Sequence, residues 1–577
     1  MKLDAVKIEN FRSIKKCEIR FHELTAIVGE NNSGKTAVLR ALNSVFNYNF
    51  EKNEFENLVH RHAPKTITRI EVVLDEVPQG QNYDDKIDLD GKLRVVFIYN
   101  YSKSSSGKKL FYSQGGVKKA IDHSFIDILK NDIDFVYIPT NRGTKDIEWK
   151  EDSIFTRLIT KYLEQYTQKR DVLSRKIGDA GNKVLNFGLN GLGKELTDLN
   201  MCNDIGEYQF CYKEELDYKL FLDKLRVEIA DREGNRTLPA SEYGSGIKSL
   251  TVIALHRMLA RLGNVSIVLG IEEPETNLHP QAQRKLIASL KKSRQACETQ
   301  AIFATHSTVI VDELNHNDIV LMRKVRNTKG EYQSEVKQIA DTFWQDHGIE
   351  EFRHYNFFRF RNSDFFFSRF VILTESTTDS RIIDSLIKEG VGDRYFNLSI
   401  VSLGGIKNLQ YPFFLLKDLG IPFYAIVDKD CFVPYLNDDL ENSRNSSTFL
   451  PEYKDERKKD SVMDFVFGSV EKCDGLLRSI RESYSKFFNY VKEEGFLPMK
   501  YCLEMDLVDN QRSRALLFNQ LNIPVQKQNN ETLLIKKKNK IKDPEVISQL
   551  LQNMQPMDYP ISYKKIKKAL IERINEI

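Results

Sequence analysis

The sequence predicts an α/β protein made of two successive strand–helix units, and three observations predict it. Gly29-Glu30-Asn31-Asn32-Ser33-Gly34-Lys35-Thr36 satisfies the spacing G-x-x-x-x-G-K-[ST] between an apolar run and a helical pattern. Two later apolar runs, at 265–271 and 301–304, are separated by a helical stretch near Pro280–Lys292. Strand–helix alternation then restarts near Phe370, with apolar runs at 371–374, 397–401 and 423–427.

In chain order, residues 2–28 read as two alternating strands and a third apolar run, Leu24–Val28, with a helix from about Lys35. A strand is expected at Thr68–Leu74 and another at Phe135–Ile138, stopped by Pro139. The segment between those two reads as polar and irregular. From Ile154 to about Asn200 the apolar spacing turns helical and carries no phosphate-binding motif, so it reads as an insertion. An aromatic series (Phe352, Tyr355, Phe357, Phe358, Phe360, Phe365, Phe366, Phe367, Phe370) is read as packing at a domain junction, with base stacking beside Arg359, Arg361 and Arg369 as the alternative. Asn442–Asp460, charged and rich in Asn and Ser, is expected to be a mobile loop.

At 577 residues the chain exceeds one ordinary core. Its 41% hydrophobic and 29% charged residues are ordinary globular values. No stretch approaches the roughly 18 apolar residues of a membrane span, and the N-terminus alternates instead of forming a secretory apolar core, so a soluble, cytoplasmic protein is expected. Seven cysteines without a C-x-x-C pair argue for reduced thiols over disulfides or a zinc cluster. The net charge of +3 says little, but Lys536–Lys542 and Lys564–Lys568 are basic runs that could contact phosphates, or could be solvated faces.

The glycine-rich loop is where the mechanism of nucleotide binding requires it. Gly29, Asn31, Asn32, Ser33 and Gly34 would wrap phosphates with backbone N–H groups, Lys35 would reach the outer phosphates, and Thr36 would present its hydroxyl to Mg²⁺. The run at 265–271 delivers Glu272 and Glu273 to the C-terminal edge of a parallel sheet. There Glu272 would hold the magnesium shell and Glu273 would polarise the attacking water. The next strand ends in Ala304-Thr305-His306-Ser307, placing His306 where it could sense the γ-phosphate of ATP.

The second unit offers a different constellation. Glu375 follows the 371–374 run, and Asp379, four residues on, is expected to share a helical face with it. Asp428 and Asp430 follow the 423–427 run, where strand alternation would point them the same way. Glu504 and Asp506 stand farther on. Any one pair is more often a helix cap or surface charge than a ligand. Together, at strand ends, they suit hard Mg²⁺ or Mn²⁺, and two such ions suit phosphodiester cleavage.

These motifs resemble known families. Ile8–Ser13, IEEPETNLHP and ATHS resemble the opening hairpin, the Walker B with D-loop, and the switch-histidine loop of ABC ATPases of the SMC kind. Ser241–Leu250 holds their signature position, with Ser245 before a helix, although it departs from LSGGQ. The resemblance implies ATP sandwiched in a dimer. Glu375, Asp428 and Asp430 resemble the acidic motifs of a Toprim domain, and Gly404–Asn408 resembles its glycine turn, although Ser376 stands where E-G is usual. The two in tandem resemble the OLD-family (overcoming lysogenization defect) nucleases, including the Gabija nuclease subunit and retron-associated relatives. That resemblance implies an ABC-type P-loop ATPase (1–150 and 231–345), a helical dimerisation insert (151–230) and an α/β Toprim domain with a basic C-terminal segment (370–577). It implies that Asp379 and Glu504 join the metal shell, and that a lysine of the 536–542 run, taken as Lys537, stabilises the transition state; the 564–568 run is the second choice. The implied function is an ATP-regulated, Mg²⁺- or Mn²⁺-dependent DNA endonuclease, homodimeric or larger, with no membrane partner and with a defence-system protein or RNA as possible company. The alternatives are an ATP-gated DNA clamp with a degenerate Toprim domain and, third, a topoisomerase- or primase-like catalyst, for which no tyrosine is marked by spacing.

Overall fold

The computed structural model describes residues 1–57, 67–80, 82–101, 107–140, 154–164, 166–184, 189, 225, 227–230, 237–242, 244–263, 265–292, 299–328, 330–350 and 363–576. It divides into two compact units, Met1–Leu314 with Met322–Val336, and Asn315–Leu321 with Lys337–Ile577.

The first unit opens with strands β1 (Lys2–Phe11), β2 (Ile14–Arg20) and β3 (Leu24–Gly29). Next come β4 (Ile67–Asp75), β5 (Leu93–Asn100), β6 (Lys108–Gln114), β7 (Val117–Ile121) and β8 (Ile133–Ile138). Short strands β9 (Glu228–Ala230) and β10 (Thr237–Pro239) form a ribbon, then β11 (Ser266–Glu272), β12 (Thr299–Ala304), β13 (Ile319–Arg326) and β14 (Tyr332–Gln338) follow. One sheet, in the order β2-β1-β4-β5-β6-β7, is antiparallel. The expectation of an irregular segment after β4 is therefore corrected, because β5, β6 and β7 occupy it. Leu93, Val95, Val96 and Phe97 of β5 are buried, so a buried strand sits between the charged turns that disguised it.

The other sheet, in the order β14-β13-β3-β12-β11-β8, has a parallel core of β3, β12, β11 and β8. All of β3 is buried, as expected of a strand covered on both faces. Its C-terminal edge gathers the glycine-rich loop after β3, Glu272 closing β11, Thr305-His306 after β12 and Thr140 after β8. Crossover helices Lys35–Phe46 and Pro280–Lys292 follow the loop and β11. In the insertion, helices Ile154–Glu164 and Thr167–Val184 bear out the helical reading as far as the described residues reach.

The second unit is built on β15 (Phe370–Thr374), β16 (Leu398–Ser402), β17 (Phe423–Val427) and β18 (Phe496–Pro498), all parallel in the order β16-β15-β17-β18. Helix Thr377–Val391 packs Ile382, Ile383 and Leu386 into a core shared with Leu550 and Leu570 of helices Pro544–Gln552 and Ile561–Glu576. Five of the nine aromatics of the 352–370 series lie outside the described residues. Phe365 and Phe366 stack with ring centroids 4.2 Å apart and are buried, which favours packing over base stacking for that pair.

Residues 442–460 are not a mobile loop. Leu436 N donates to Glu452 O at 3.0 Å and Lys454 N to Pro434 O at 2.9 Å, so the segment returns as a ribbon beside residues 434–436. Arg444 binds Phe449 O at 2.8 Å and Glu441 at 3.0 Å, and Asn445 accepts from Ser447 N and Thr448 N in an Asx-type turn. Asn and Ser serve turn geometry here, which composition alone does not separate from disorder. Among the described residues no helix is long and apolar enough to cross a membrane, and Cys17, Cys431, Cys473 and Cys502 are free thiols. Cys202, Cys211 and Cys297 lie outside the described residues.

Candidate functional sites at two sheet edges

The loop after β3 is locked by its backbone. Gly29 has φ +139°, and a Cβ there would lie 1.9 Å from Met322 O, so only glycine fits. Gly34, at φ +108°, would meet Ser334 Oγ at 2.6 Å and Ser13 Oγ at 2.9 Å. Lys35 is buried, and its Nζ donates to Gly29 O at 2.9 Å and Glu30 O at 2.8 Å. Burial pulls its ammonium down to about 8, against the opposing charges of Glu273, Glu275 and Glu30. A cavity of about 650 Å³ opens here, lined by Asn31, Asn32, Gly34, Lys35, Thr36, Glu273 and His306. Phe11 and Arg12 of the opening hairpin also line it, as do Tyr101 and Lys324, which no motif singled out.

The residues after β11 and β12 face the same cavity in an ordered frame. Glu272 is buried and lies 3.4 Å from both the N and Oγ1 of Thr140. Burial, then the neighbouring Glu272 carboxylate, raises the Tyr137 phenol. Glu273 has φ +41°, donates its N–H to Ala304 O at 2.8 Å and receives Thr276 Oγ1 at 3.2 Å. Burial, then the charge of Lys35, lowers the His306 imidazolium, so the ring favours the neutral form. Its loop hangs on Glu275, which accepts from Thr305 Oγ1 and His306 N, each at 2.7 Å. Glu275 stood inside the acidic motif without a role, because its job appears only once β12 lies beside β11. Ser245 opens the helix Ser245–Gly263, and a Cβ at Gly246 would lie 2.3 Å from Asn277 O, so the signature segment presses on the loop after β11.

In the second unit the strand ends converge on acid. Glu375 stands between β15 and the helix that follows. The turn after β16 wraps it: Gly405, at φ +123°, donates its N–H to Glu375 O at 2.8 Å, and Ile406 N–H bonds its carboxylate. Glu375 and Asp379 do not share a helical face, which corrects that expectation. Ser376 is the N-cap, and Asp379 closes a capping box, accepting from Ser376 N at 2.9 Å and Oγ at 2.8 Å while Ser376 Oγ accepts from Asp379 N. Ser376, the departure from E-G, thus supplies the cap. Strand alternation does not align Asp428 with Asp430 either, because β17 ends at Val427 and Lys429–Cys431 is a 3₁₀ turn.

The carboxylates act on one another nonetheless. Burial, then Asp430 and Asp379, pushes Glu375 up to about 7, while Lys458 opposes the rise. Burial, then Glu375, Glu504, Asp379 and Asp430, raises Asp428 well above the usual range. Asp379 is raised by burial and by Glu504 against the Ser376 bonds. Repulsion of this kind is what divalent cations relieve, and hard oxygen donors suit them. Among the described residues, however, no three carboxylate, histidine or cysteine side chains converge tightly enough to grip an ion as they stand.

Of the expected 536–542 run, Lys542 and not Lys537 stands beside the cluster. Lys537 is exposed and begins a helical turn, whereas Lys542 of the same run pairs with Glu504 at 2.9 Å. Lys565 and Lys567 of the second run lie over the rings of Phe488 and Tyr559, at 5.3 and 5.6 Å. Asp506 turns inward: its carboxylate accepts from Lys500 N and Tyr501 N, each at 2.8 Å, and burial pushes it up to about 7. Tyr501 O in turn accepts from Lys429 N at 2.9 Å, so Asp506 braces the turn that carries the aspartates.

The chain matches the model of the AAA ATPase domain over residues 1–168 and 96–311, together more than half of its length. It matches the TOPRIM domain of overcoming-lysogenization-defect-like proteins over 366–430. It is 25% identical over 503 residues to the OLD nuclease of Thermus scotoductus, covering 81% of this chain and 89% of that protein. Endonuclease GajA of Bacillus cereus is 22% identical over 531 residues, 74% of this chain and 73% of its own. The Old nuclease of Escherichia phage P2 is 20% identical over 520 residues, 84% and 82% of the two chains. With a phosphate-binding loop at one sheet edge and a carboxylate cluster at another, the chain belongs to the AAA ATPase-domain family and, through the TOPRIM domain behind it, to the OLD nuclease enzymes.

Proposed function

We propose that the protein is an ATP-regulated, Mg²⁺- or Mn²⁺-dependent DNA endonuclease that nicks or cuts duplex DNA. The observation that carries this reading is that Glu375, Asp379 and Asp428, from separate segments, are buried within reach of one another's charge and of Asp430 and Glu504, so that burial and then this repulsion raise the proton affinity of those three. In this reading the carboxylates hold divalent ions that activate a water and steady the leaving oxygen of a phosphodiester. At the other edge Gly29, Asn31, Asn32, Ser33, Gly34, Lys35 and Thr36 hold ATP, Thr36 and Glu272 its Mg²⁺, Glu273 polarises water, and His306 reads the γ-phosphate. The likeness to SMC-type ATPases supports a homodimer that sandwiches ATP, with Ser245 covering the nucleotide of the partner protomer. The resemblance of the tandem domains to the Gabija nuclease subunit supports a cytoplasmic role in defence against phage, with a companion protein or RNA.

Supercoiled plasmid with Mg²⁺ or Mn²⁺, across ATP concentrations, tests the reading with Asp428→Asn, Lys35→Ala and Glu273→Gln beside the wild type. Cleavage lost in Asp428→Asn, and cleavage whose ATP dependence is lost in Lys35→Ala, are the expected results. The competing reading, an ATP-gated clamp with a silent TOPRIM domain, draws support from the lack of tight convergence among the carboxylates. It wins if the wild type binds DNA with ATP yet never cuts.

A further inference from the structure

The ribbon beside residues 434–436 sets two tyrosines face to face. Tyr435 and Tyr453 are partners in an antiparallel bridge, and their rings stack with centroids 5.3 Å apart and planes inclined by 27°. On the pair's inner side lies Lys429, whose Nζ is 4.6 Å from the centroid of the Tyr453 ring. Since Lys429 stands between Asp428 and Asp430, the stack rests against the turn that carries both aspartates.

A tyrosine drawn out of bulk water ordinarily gives its phenol proton to a protein acceptor. In the same unit Tyr484, Tyr490, Tyr559 and Tyr563 donate to the carbonyls of Pro498, Lys472, Leu551 and Leu503, at 2.7, 3.0, 3.1 and 3.0 Å. Among the described residues neither Tyr435 nor Tyr453 has such a partner, and both are half-buried. Their surroundings are acidic instead. Burial, then Asp430, raises the Tyr435 phenol well above its ordinary value, and Asp428 and Glu375 add to the rise. The proton therefore stays on the oxygen, and the ring offers an uncommitted neutral donor at the edge of the carboxylate cluster.

We propose that Tyr435 donates a hydrogen bond to a non-bridging oxygen of the scissile phosphodiester as negative charge builds on it, with Tyr453 as the positioning residue that holds the ring by stacking. The inference deepens the nuclease reading above and rests on it. A water oxygen bonds to phosphorus and the bond to the leaving oxygen breaks; the proton that the water gives up balances the one that the leaving oxygen takes. Tyr435 keeps its own proton and attacks nothing, so no protein–DNA adduct forms. A donor fixed in place before the reaction stabilises the developing charge without having to reorganise.

The test compares plasmid cleavage at saturating Mn²⁺ by the wild type, Tyr435→Phe, Tyr453→Leu, Tyr453→Phe and Asp428→Asn, with melting midpoints measured alongside and a denaturing quench to trap adducts. Tyr435→Phe keeps the ring and loses only the hydroxyl. It is expected to lower kcat by about 10²-fold, with KM for DNA, the Mn²⁺ concentration for half-saturation and the melting midpoint unchanged. Tyr453→Leu should lower kcat by about tenfold at unchanged KM, and Tyr453→Phe, which restores the stack, should recover most of that loss. Wild-type kcat in Tyr435→Phe, or a deficit that excess Mn²⁺ or excess DNA erases, overturns the proposal, because the hydroxyl is then idle or only helps to hold ions or DNA. A wild-type adduct that Tyr435→Phe abolishes overturns it as well, since the phenol oxygen is then a nucleophile. Full kcat in Tyr453→Leu removes the positioning role. If the wild type does not cut, or Asp428→Asn cuts as fast, the nuclease reading fails and this role falls with it. If Asp428→Asn is dead while Tyr435→Phe is fully active, only the role of Tyr435 falls.

Discussion

The two sheet edges gather charge by opposite means. At the end of β3 the site is made of backbone: glycines at positive φ, a lysine tied to two carbonyls, and a wall that admits no Cβ at Gly29. At the ends of β15 and β17 the site is made of side chains of like charge, kept together by burial, by the Gly405-Ile406 turn and by Lys458 and Lys542. Apart from Lys35, a backbone cradle has no proton to exchange as pH changes. A cluster of buried carboxylates does, and each proton or cation it takes up alters its neighbours.

Breaking the acidic side should leave the backbone side intact. Asp428→Asn is expected to lower cleavage by about 10³-fold or more, since metal ions supply several kcal/mol of charge stabilisation. ATP turnover should stay near wild type and the melting midpoint be held or raised, because a repelling group is gone; steady-state assays and calorimetry check both. The converse is Gly29→Ala, whose Cβ must displace Met322 O. A loss of about 3 kcal/mol in stability and failure to bind ATP are expected, read by denaturant titration and nucleotide binding.

The contrast sharpens with pH. Because Glu375 is pushed up to about 7, cleavage should rise as pH increases through about 7, and the midpoint should move lower as Mg²⁺ concentration is raised, since the ion competes with the proton. Without divalent ions, the raised value means a stabilising contribution fully present below about pH 4.5 and lost as pH rises through 7. Melting curves of the wild type and Glu375→Gln from pH 5 to 8 should therefore converge at the low end of that range and diverge at the high end, where the wild type melts lower. Smaller still is Glu275→Gln, which weakens the tether of the His306 loop and should slow ATP turnover about tenfold, roughly 1.4 kcal/mol on the barrier, without touching metal-dependent cleavage by a nucleotide-free enzyme. Ser376→Ala removes a helix cap and should cost about 1 kcal/mol of stability in chemical denaturation.

Legibility in the sequence followed the same division. The loop from Gly29 to Thr36, Glu272, Glu273 and His306 are close to strand ends within short motifs, and local grammar put them at one sheet edge before any coordinates. Glu375, Asp428 and Asp430 likewise stand just after strand ends, yet a capping box and a 3₁₀ turn replace the helix face and the strand that spacing suggested. Lys458 was out of reach of spacing, and the run 536–542 was marked without showing that Lys542 is the member that meets a carboxylate, since each lysine reaches its partner through a long excursion of the chain. The buried strand β5 and the ordered ribbon at 434–454 were hidden by polar neighbours whose side chains bond to turns instead of to water.

The central claim is that carboxylates from separate strand ends share divalent cations, and a Mn²⁺ titration of the nucleotide-free protein, followed by calorimetry, tests it most directly. Binding retained in Lys35→Ala and abolished in Asp428→Asn and Glu375→Gln is the predicted outcome. Equal Mn²⁺ binding in the wild type and in both carboxylate variants would contradict it.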